Sequence, residues 1–181
     1  LNPEIARRWQ ERTGSVVREG YGLTETSPVV VASTSKTPHK EGFIGKPVID
    51  TWVKTVDDDG NETPRGEPGE LLTRGYLVML GYWDDAERTA EAVDAAGWMH
   101  TGDLATIDAE GYCEIVGRIK DMVIRGGENV YPREIEEYLY GHPSIEDVQV
   151  IGVPDERFGE QLCACIKLRD GASVTTEQIQ E

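Results

Sequence analysis

The sequence has no long hydrophobic run, since its apolar stretches, such as Val29–Ala32, are only a few residues long. A helix that crosses a bilayer needs about 20 mostly apolar residues, so we expect no membrane span. The chain begins at Leu1, without an initiator methionine and without the pattern of a secretory signal. We therefore expect it to be part of a longer protein. Its 38% hydrophobic and 29% charged residues are typical of a folded globular chain.

Cysteine is scarce as well. The 3 cysteines, Cys113, Cys163 and Cys165, form no paired framework of disulfides. Cys163 and Cys165 are two residues apart in an apolar segment, so on a strand they point the same way, but no His or further Cys lies nearby to complete a metal site. We expect three buried free thiols in the reducing environment of the cytoplasm.

Positive charge is also in short supply. Lys and Arg number 18 against 34 Asp and Glu, and residues 55–114 hold three basic and fifteen acidic residues, a net charge of −12. A nucleic-acid surface needs a basic stripe, so this acidic segment argues against a nucleic-acid partner. Basic residues do gather in the sequence at Arg118, Lys120, Arg125 and Arg133, where we expect a small anionic ligand to bind.

The pattern of helix and strand signals changes near residue 118. Up to that point, short strands and glycine-rich turns predict a small β-rich subdomain. The predicted strands are 15–19, 28–33, 51–56, 69–74 and a hairpin of 104–107 with 112–116, and the predicted helices are 3–13, capped by Asn2, and 84–93. Beyond it, strands alternate with helices, as in an α/β or α+β layer. The predicted elements there are strands 122–124, 148–153 and 162–168, a helix 132–140, and the start of a helix capped by Thr176.

Four segments carry the most specific signal in the sequence. They are Glu19–Thr26 (EGYGLTET), Gly69-Glu70-Leu71 with Arg74-Gly75, Trp98–Asp103, and Gly117-Arg118 through Gly126-Gly127-Glu128-Asn129. Together, in this order, they resemble the signature of the adenylate-forming superfamily of acyl-CoA synthetases, luciferases and peptide-synthetase adenylation domains. The resemblance implies that residues 1–118 are the C-terminal part of a large AMP-binding domain with a β-barrel-like subdomain. It also implies a hinge at 119–121 and an incomplete small mobile α+β domain at 122–181.

The first segment presents Tyr21 between two glycines, where the backbone can approach a ligand closely. The resemblance implies that the Tyr21 ring stacks on adenine and that Gly22 lines the same site; a tyrosine packed in the core is the alternative. Thr24 and Glu25 offer oxygen atoms, which suit Mg²⁺. The resemblance implies that both act on ATP phosphates and Mg²⁺, with Glu25 as the metal ligand, whereas a solvated loop is the alternative.

Asp103 follows Thr101 and Gly102 on what we predict to be a tight turn before a strand. A carboxylate accepts two hydrogen bonds side by side, and the resemblance assigns Asp103 to the ribose hydroxyls. Arg118 lies at the far end of the predicted hairpin and should return beside Asp103, where its planar fork suits ribose and α-phosphate oxygens. An Asp that caps its own turn and an Arg that only pairs with Asp103 remain the alternatives.

The resemblance also implies that Lys120 is the pivot between an adenylation and a thioester-forming orientation. It places Gly126 and Gly127 on the loop that lines the pantetheine tunnel of coenzyme A. The segments GGENVYP and GYLVMLGYW resemble those of medium- and long-chain fatty acid–CoA ligases. We therefore expect a ligase that converts a fatty acid to acyl-AMP with ATP and Mg²⁺ and transfers the acyl group to CoA. A ligase for aryl or steroid-derived acids, and a non-catalytic nucleotide- or partner-binding module, stay open.

The superfamily's phosphate-binding loop would precede Leu1 and its adenylation lysine would follow Glu181, and no lysine follows Lys167. We therefore predict that the 181-residue chain alone forms no acyl-adenylate. With a fatty acid, ATP and Mg²⁺, it should release no more pyrophosphate than a blank without protein. Pyrophosphate release that depends on both the chain and the acid would contradict this.

Overall fold

The computed structural model describes residues 3–180 and divides them into two compact units, residues 3–119 and residues 120–180. The division falls between Ile119 and Lys120, inside a short 3-10 helix, Ile119–Asp121. The expected helix cap Asn2 lies outside the described residues. Within them, none of the helices has the length and apolar character needed to cross a membrane.

The first unit contains two antiparallel sheets. Its strands are β1 (Gly20–Tyr21), β2 (Val31–Ala32), β3 (Lys46–Pro47), β4 (Thr51–Val56), β5 (Gly69–Gly75), β6 (Met99–Ile107) and β7 (Cys113–Arg118). The short strands pair in the order β1-β2-β3, and the longer ones in the order β4-β5-β6-β7. Its helices are α1 (Pro3–Thr13), α2 (Ala86–Ala92) and a 3-10 turn, Thr24–Thr26.

A small core brings the two sheets of the first unit together. Buried residues in and just before β2, and in β6 and β7, form one cluster, and Tyr21, Ile44 and Val53 pack against it. The buried members are Val30, Val31, Ile107 and Cys113. Tyr21, at the end of β1, therefore packs against a cluster that includes residues of β6 and β7.

The second unit is a four-stranded sheet with helices. Its elements are β8 (Val123–Arg125), β9 (Glu128–Val130), α3 (Pro132–Tyr140), β10 (Ile145–Asp155), β11 (Gly159–Leu168) and α4 (Thr176–Gln180). The strands pair in the order β10-β11-β8-β9. Leu139 of α3 packs with inward-facing residues of β10, which alternate with exposed ones along the strand. They are Ile145, Val148 and Val150.

Most predicted elements are confirmed, and three details are wrong. Residues 15–19 form no strand; the pairing begins at Gly20, where the chain meets Ala32. Asp103 lies inside β6 and not on a turn before it, because β6 begins at Met99. The last helix is capped by Thr175, whose Oγ1 accepts from the backbone N–H of Gln178 at 3.4 Å, and not by Thr176.

The expectation of three buried cysteines is wrong for two of them. Cys113 is fully buried, and this burial raises the pKa of its thiol to about 12. Cys165 is exposed and Cys163 is only partly buried. Both lie on β11 opposite exposed Gln149 and Ile151 of β10, whereas Leu162, Ile166 and Leu168 face the core. The strand is covered on one face only, and the cysteines occupy the other.

Candidate functional site

Tyr21, Asp103 and Arg118 meet in the first unit. Asp103 of β6 stands opposite Arg118 of β7, and the Arg118 Nε donates to the Asp103 Oδ1 at 3.1 Å. From the other side, the Tyr21 hydroxyl donates to the Asp103 Oδ2 at 2.6 Å. The expected return of the hairpin beside Asp103 is confirmed. The aromatic loop and the hairpin therefore converge on one carboxylate.

Asp103 and Arg118 differ sharply in exposure. The Asp103 side chain is 8% exposed and the Arg118 side chain is 58% exposed. Within the described part of the chain, Arg118 binds the carboxylate through its Nε. Such a guanidinium can hold a carboxylate and an anion at the same time. The two side chains form the ion pair that was foreseen as an alternative. Such a pair can still bind an anionic ligand through the arginine.

Burial raises the pKa of Tyr21 well above its ordinary value of 10.0, and the hydrogen bond to Asp103 raises it further. Because a tyrosine that donates to a carboxylate must keep its proton, the Tyr21 hydroxyl remains a donor at every physiological pH. Tyr21 as a residue is only partly buried. The hydroxyl end of Tyr21 is therefore fixed by Asp103.

A bulge in β6 presents Asp103. Leu72 pairs with His100 and Glu70 pairs with Leu104, so Leu71 alone stands opposite residues 101–103. Gly102 has a φ of +70°, a conformation that glycine adopts without strain. Bulges re-aim side chains in this way. The turn expected before Asp103 is thus a bulge within the strand.

Thr101 fastens the bulge and was not singled out from the sequence. Its hydroxyl donates to the backbone oxygen of Leu71 at 2.7 Å and accepts from the backbone N–H of Asp103 at 3.1 Å. A hydroxyl that donates and accepts can join two backbone groups of adjacent strands. In the sequence, only its position two residues before Asp103 could have indicated this role of Thr101.

Glu25 is held by residues outside its own loop. Its Oε1 accepts from the Tyr82 hydroxyl at 2.9 Å, and its backbone oxygen accepts from the Met79 N–H at 2.8 Å. Sequence reasoning missed Tyr82 as a partner, although the segment that contains it was noted for its resemblance. Thr24 is exposed. In the described residues, no hydrogen bond joins Thr24 or Glu25 to Tyr21 or Asp103.

These oxygens fit Mg²⁺ as part of a shared site. Among residues 3–180, no group of three or more His, Cys, Asp or Glu could enclose a metal ion. Mg²⁺, however, is commonly bound through one or two carboxylates with the remaining positions filled by phosphates and water. A single partly exposed carboxylate at Glu25, next to the Thr24 hydroxyl, matches that donor set.

Gly22 serves the loop itself. A Cβ at this position would lie 1.6 Å from the backbone oxygen of Pro28. Only glycine fits here, because two parts of the same segment approach each other closely. Beside it, the backbone N–H of Val30 donates to the backbone oxygen of Tyr21 at 2.9 Å. This contact within the protein accounts for the glycine. The expected role of Gly22 in lining a nucleotide site stays a prediction.

The remaining predicted residues belong to the second unit. Gly126 and Gly127 form the two-residue turn between β8 and β9, with φ of +61° and +90°. A hairpin turn of this kind needs positive φ at both positions, which explains the glycine pair. Lys120 is exposed, at the first residue of this unit.

The basic residues that are close in sequence are divided between the two units. Arg118 belongs to the first unit, whereas Lys120, Arg125 and Arg133 belong to the second. Arg125 stacks on Phe158 at 4.3 Å, and Arg133 donates to Glu137 at 2.9 Å. These contacts give both arginines partners inside their own unit.

The profile of AMP-binding enzymes matches residues 1–83, and the profile of the C-terminal domain of these enzymes matches residues 134–181. The chain belongs to this family of adenylate-forming enzymes. The resemblance drawn from the four sequence segments is confirmed, and so is the mixed α and β fold.

Several acyl-CoA ligases are close in sequence. YngI of Bacillus subtilis (strain 168), provisionally named an acyl-CoA synthetase, is 48% identical over 98% of this chain and 33% of its own length. The mitochondrial medium-chain acyl-CoA ligase ACSF2 of Homo sapiens is 47% identical over 88% of this chain and 26% of its own length. The chain thus spans a third or less of these curated relatives.

Solved structures agree with this assignment. The crystal structure of ATP-bound MatB from Rhodopseudomonas palustris matches with a TM-score of 0.95 and 37% identity over 99% of this chain and 36% of that one. The anthranilate CoA ligase AuaEII in complex with anthranoyl-AMP matches with a TM-score of 0.87 and 33% identity, over 99% of this chain and 34% of that one.

The Tyr21 hydroxyl should stabilise the first unit. Tyr21→Phe leaves the buried Asp103 Oδ2 without this donor, and we expect a loss of about 1–3 kcal/mol in the free energy of unfolding at neutral pH. The folded pKa of Tyr21 lies above the ordinary 10.0, so the contribution of the hydroxyl is complete below that pH and is lost as the pH rises through it. The difference between wild type and variant should therefore shrink above about pH 10.

Urea unfolding followed by tryptophan fluorescence measures this effect, because all 4 tryptophans lie in the first unit. Tyr76→Phe is the matched control, since its side chain is 72% exposed and should lose little. Equal losses for both variants, or a Tyr21 effect that grows above pH 10, would contradict the prediction.

Proposed function

We propose that this chain forms part of a longer ATP-dependent acid–CoA ligase, and that Tyr21, Asp103 and Arg118 hold the AMP portion of its nucleotide. The observation that carries the proposal is the convergence on Asp103, which accepts from Tyr21 at 2.6 Å and from Arg118 at 3.1 Å. A carboxylate positioned from two sides suits the vicinal hydroxyls of ribose. The acyl-CoA ligases among the relatives support the reaction class.

The proposed reaction has two steps. The oxygen of a carboxylic acid attacks the α-phosphorus of ATP, which gives acyl-AMP and releases pyrophosphate. The thiol of CoA then attacks the acyl carbon, which gives the thioester and releases AMP. Activation is needed because AMP is a far better leaving group than a carboxylate oxygen. The contribution of the protein is mainly positioning and charge stabilisation.

Each residue of the first unit has a limited task in this scheme. Asp103 accepts from the ribose hydroxyls, the terminal nitrogens of Arg118 donate to ribose and α-phosphate oxygens, and the ring of Tyr21 stacks on adenine. Glu25 and Thr24 hold Mg²⁺, which supplies charge neutralisation of the phosphates when it is bound. Tyr82 keeps the Glu25 carboxylate in place through its 2.9 Å hydrogen bond.

The second unit is proposed to act in thioester formation. Lys120 lies at the first residue after the division between the units, where a change in a few backbone angles would turn one unit against the other. Gly126 and Gly127 leave the tip of the β8–β9 turn without side chains, which suits a loop beside the pantetheine arm of CoA. Gly127 has open space around its Cβ position.

A fatty acid is the proposed substrate. The support is the resemblance of residues 75–83 to fatty acid ligases and the medium-chain ligase among the relatives. An aryl acid is the second candidate, because the anthranilate CoA ligase matches the fold at 33% identity. A panel of acids assayed with the full-length protein separates the two. We propose a cytoplasmic location on the basis of three free thiols, although ACSF2 is mitochondrial.

Asp103→Ala should weaken the use of ATP more than the use of the acid, because the ribose loses its acceptor. In the full-length protein we expect the KM for ATP to rise about tenfold or more while the KM for the acid changes little. Asp58→Ala, at an exposed turn, is the control. An unchanged KM for ATP and an unchanged turnover would rule out the ribose contact.

Lys120→Pro should impair thioester formation more than adenylation, because proline removes freedom at the proposed pivot. The two half-reactions are measured separately, as ATP–pyrophosphate exchange and as transfer from preformed acyl-AMP to CoA. Lys120→Ala, which removes the charge and keeps the backbone mobile, should transfer the acyl group nearly as wild type does. An equal loss in both half-reactions would indicate misfolding and not a blocked pivot.

A further inference from the structure

Glu70 has no part in the function proposed above, although it lies in one of the four sequence segments. We propose that Glu70 is a positioning residue for Asp103: it holds the 101–103 bulge of β6 in the shape that presents the carboxylate to ribose. This inference rests on the proposed role of Asp103 in ribose binding. Its support is two contacts, one from each Glu70 carboxylate oxygen: one to Gly102 in the bulge and one to His100 just before it.

One Glu70 oxygen binds the middle of the bulge, and the other binds the residue before it. The Oε1 accepts from the backbone N–H of Gly102 at 3.1 Å. The Oε2 lies 2.8 Å from the Nδ1 of His100. Since an ionised carboxylate only accepts, His100 must carry a proton on Nδ1 in this contact. The Glu70 side chain is 19% exposed, against 40% for His100, so the contacts are shielded but not sealed.

The position of Glu70 in the sheet explains why it can do this. Glu70 pairs with Leu104 and Leu72 pairs with His100, so Glu70 stands at one end of the bulge and reaches back across it to the other. The backbone N–H of Gly102 has left the regular ladder at its φ of +70°. A side-chain acceptor is then needed to replace the lost strand partner.

Two ties hold the bulge, and they act at different points. Thr101 ties it to the Leu71 backbone and to the Asp103 N–H. Glu70 ties Gly102 and His100. Without the Glu70 tie, Gly102 is free to relax toward extended backbone. Because side chains alternate between the faces of a strand, a small change of register at Gly102 turns Asp103 away from Tyr21 and Arg118.

This positioning role differs from general stabilisation in what it changes. In the described residues Glu70 makes no hydrogen bond with Tyr21, Asp103 or Arg118. Replacing Glu70 should therefore affect ATP binding only through the placement of Asp103. Recognition of the ribose hydroxyls should weaken, and the KM for the acid should not change.

The test uses the full-length protein, with ATP compared against 2′-deoxy-ATP. For Glu70→Ala we expect a KM for ATP about tenfold higher, an unchanged KM for the acid, and a reduced preference for ATP over the deoxy analogue. Glu70→Gln should restore most of the preference, because its amide oxygen can still accept from Gly102. Glu91→Gln, exposed on α2, is the control.

A double variant tests the route of action. If Glu70 works through Asp103, Glu70→Ala should add no further loss of ATP use in an Asp103→Ala background. Additive losses, or a full preference for ATP in Glu70→Ala, would overturn the inference. Should Glu70→Ala fail to fold, Glu70→Asp carries the same expectations, since its shorter side chain cannot reach both partners.

The results also separate this inference from the function on which it rests. If Asp103→Ala loses the preference for ATP and Glu70→Ala keeps it, only the role of Glu70 is wrong. If Asp103→Ala itself keeps the preference, the ribose contact of the proposed function is wrong. Thermal unfolding of each variant shows whether a change in ATP use merely accompanies a loss of fold.

Discussion

The first unit depends on one buried carboxylate that holds two donors from distant parts of the chain. Asp103 is 6% exposed, and it binds Tyr21 from the end of β1 and Arg118 from the end of β7. Hydrogen bonds to a charged group contribute about 1.5–3 kcal/mol each, and a buried charge without partners is costly. The aromatic loop and the hairpin are thereby fixed to each other through a single side chain.

The carboxylate reaches this place because β6 is irregular on both sides. Against β5, Leu71 faces residues 101–103, and against β7 the register shifts between Leu104 and Ala105. A regular strand alternates its side chains strictly between two faces. The irregularities let Asp103 point toward Tyr21 and Arg118 while Leu104 and Ala105 remain in the core. The irregular pairing of β6 with its two neighbours thus positions Asp103.

The sequence predicted regular elements well where local chemistry decides them. Helix 132–140 was predicted at both ends, because Pro132 occupies the first helical position and Gly141 follows the last. The pairing of Asp103 with Arg118 was also predictable, because a hairpin returns on itself. Strand 15–19 was wrong, since β propensity alone cannot reveal whether a partner strand exists.

Other features depend on contacts between distant residues, which no local pattern encodes. The bulge at Thr101 needs β5 beside it, and the hold on Glu25 needs Tyr82 from fifty-seven residues away. The close approach of Pro28 to Gly22 also exists only in the folded chain. The exposure of Cys165 likewise depends on which face of β11 is covered. The roles of these residues in binding remain proposals.

The hydrogen bonds of Asp103 have one further consequence. An ionised carboxylate offers about four lone-pair positions, two on each oxygen. Tyr21 occupies one position on Oδ2 and Arg118 one on Oδ1, so each oxygen keeps one. In the proposed nucleotide complex, these positions would accept from the ribose hydroxyls without displacing either neighbour. The carboxylate is held in place beforehand, so ordering it would cost little conformational entropy in that complex.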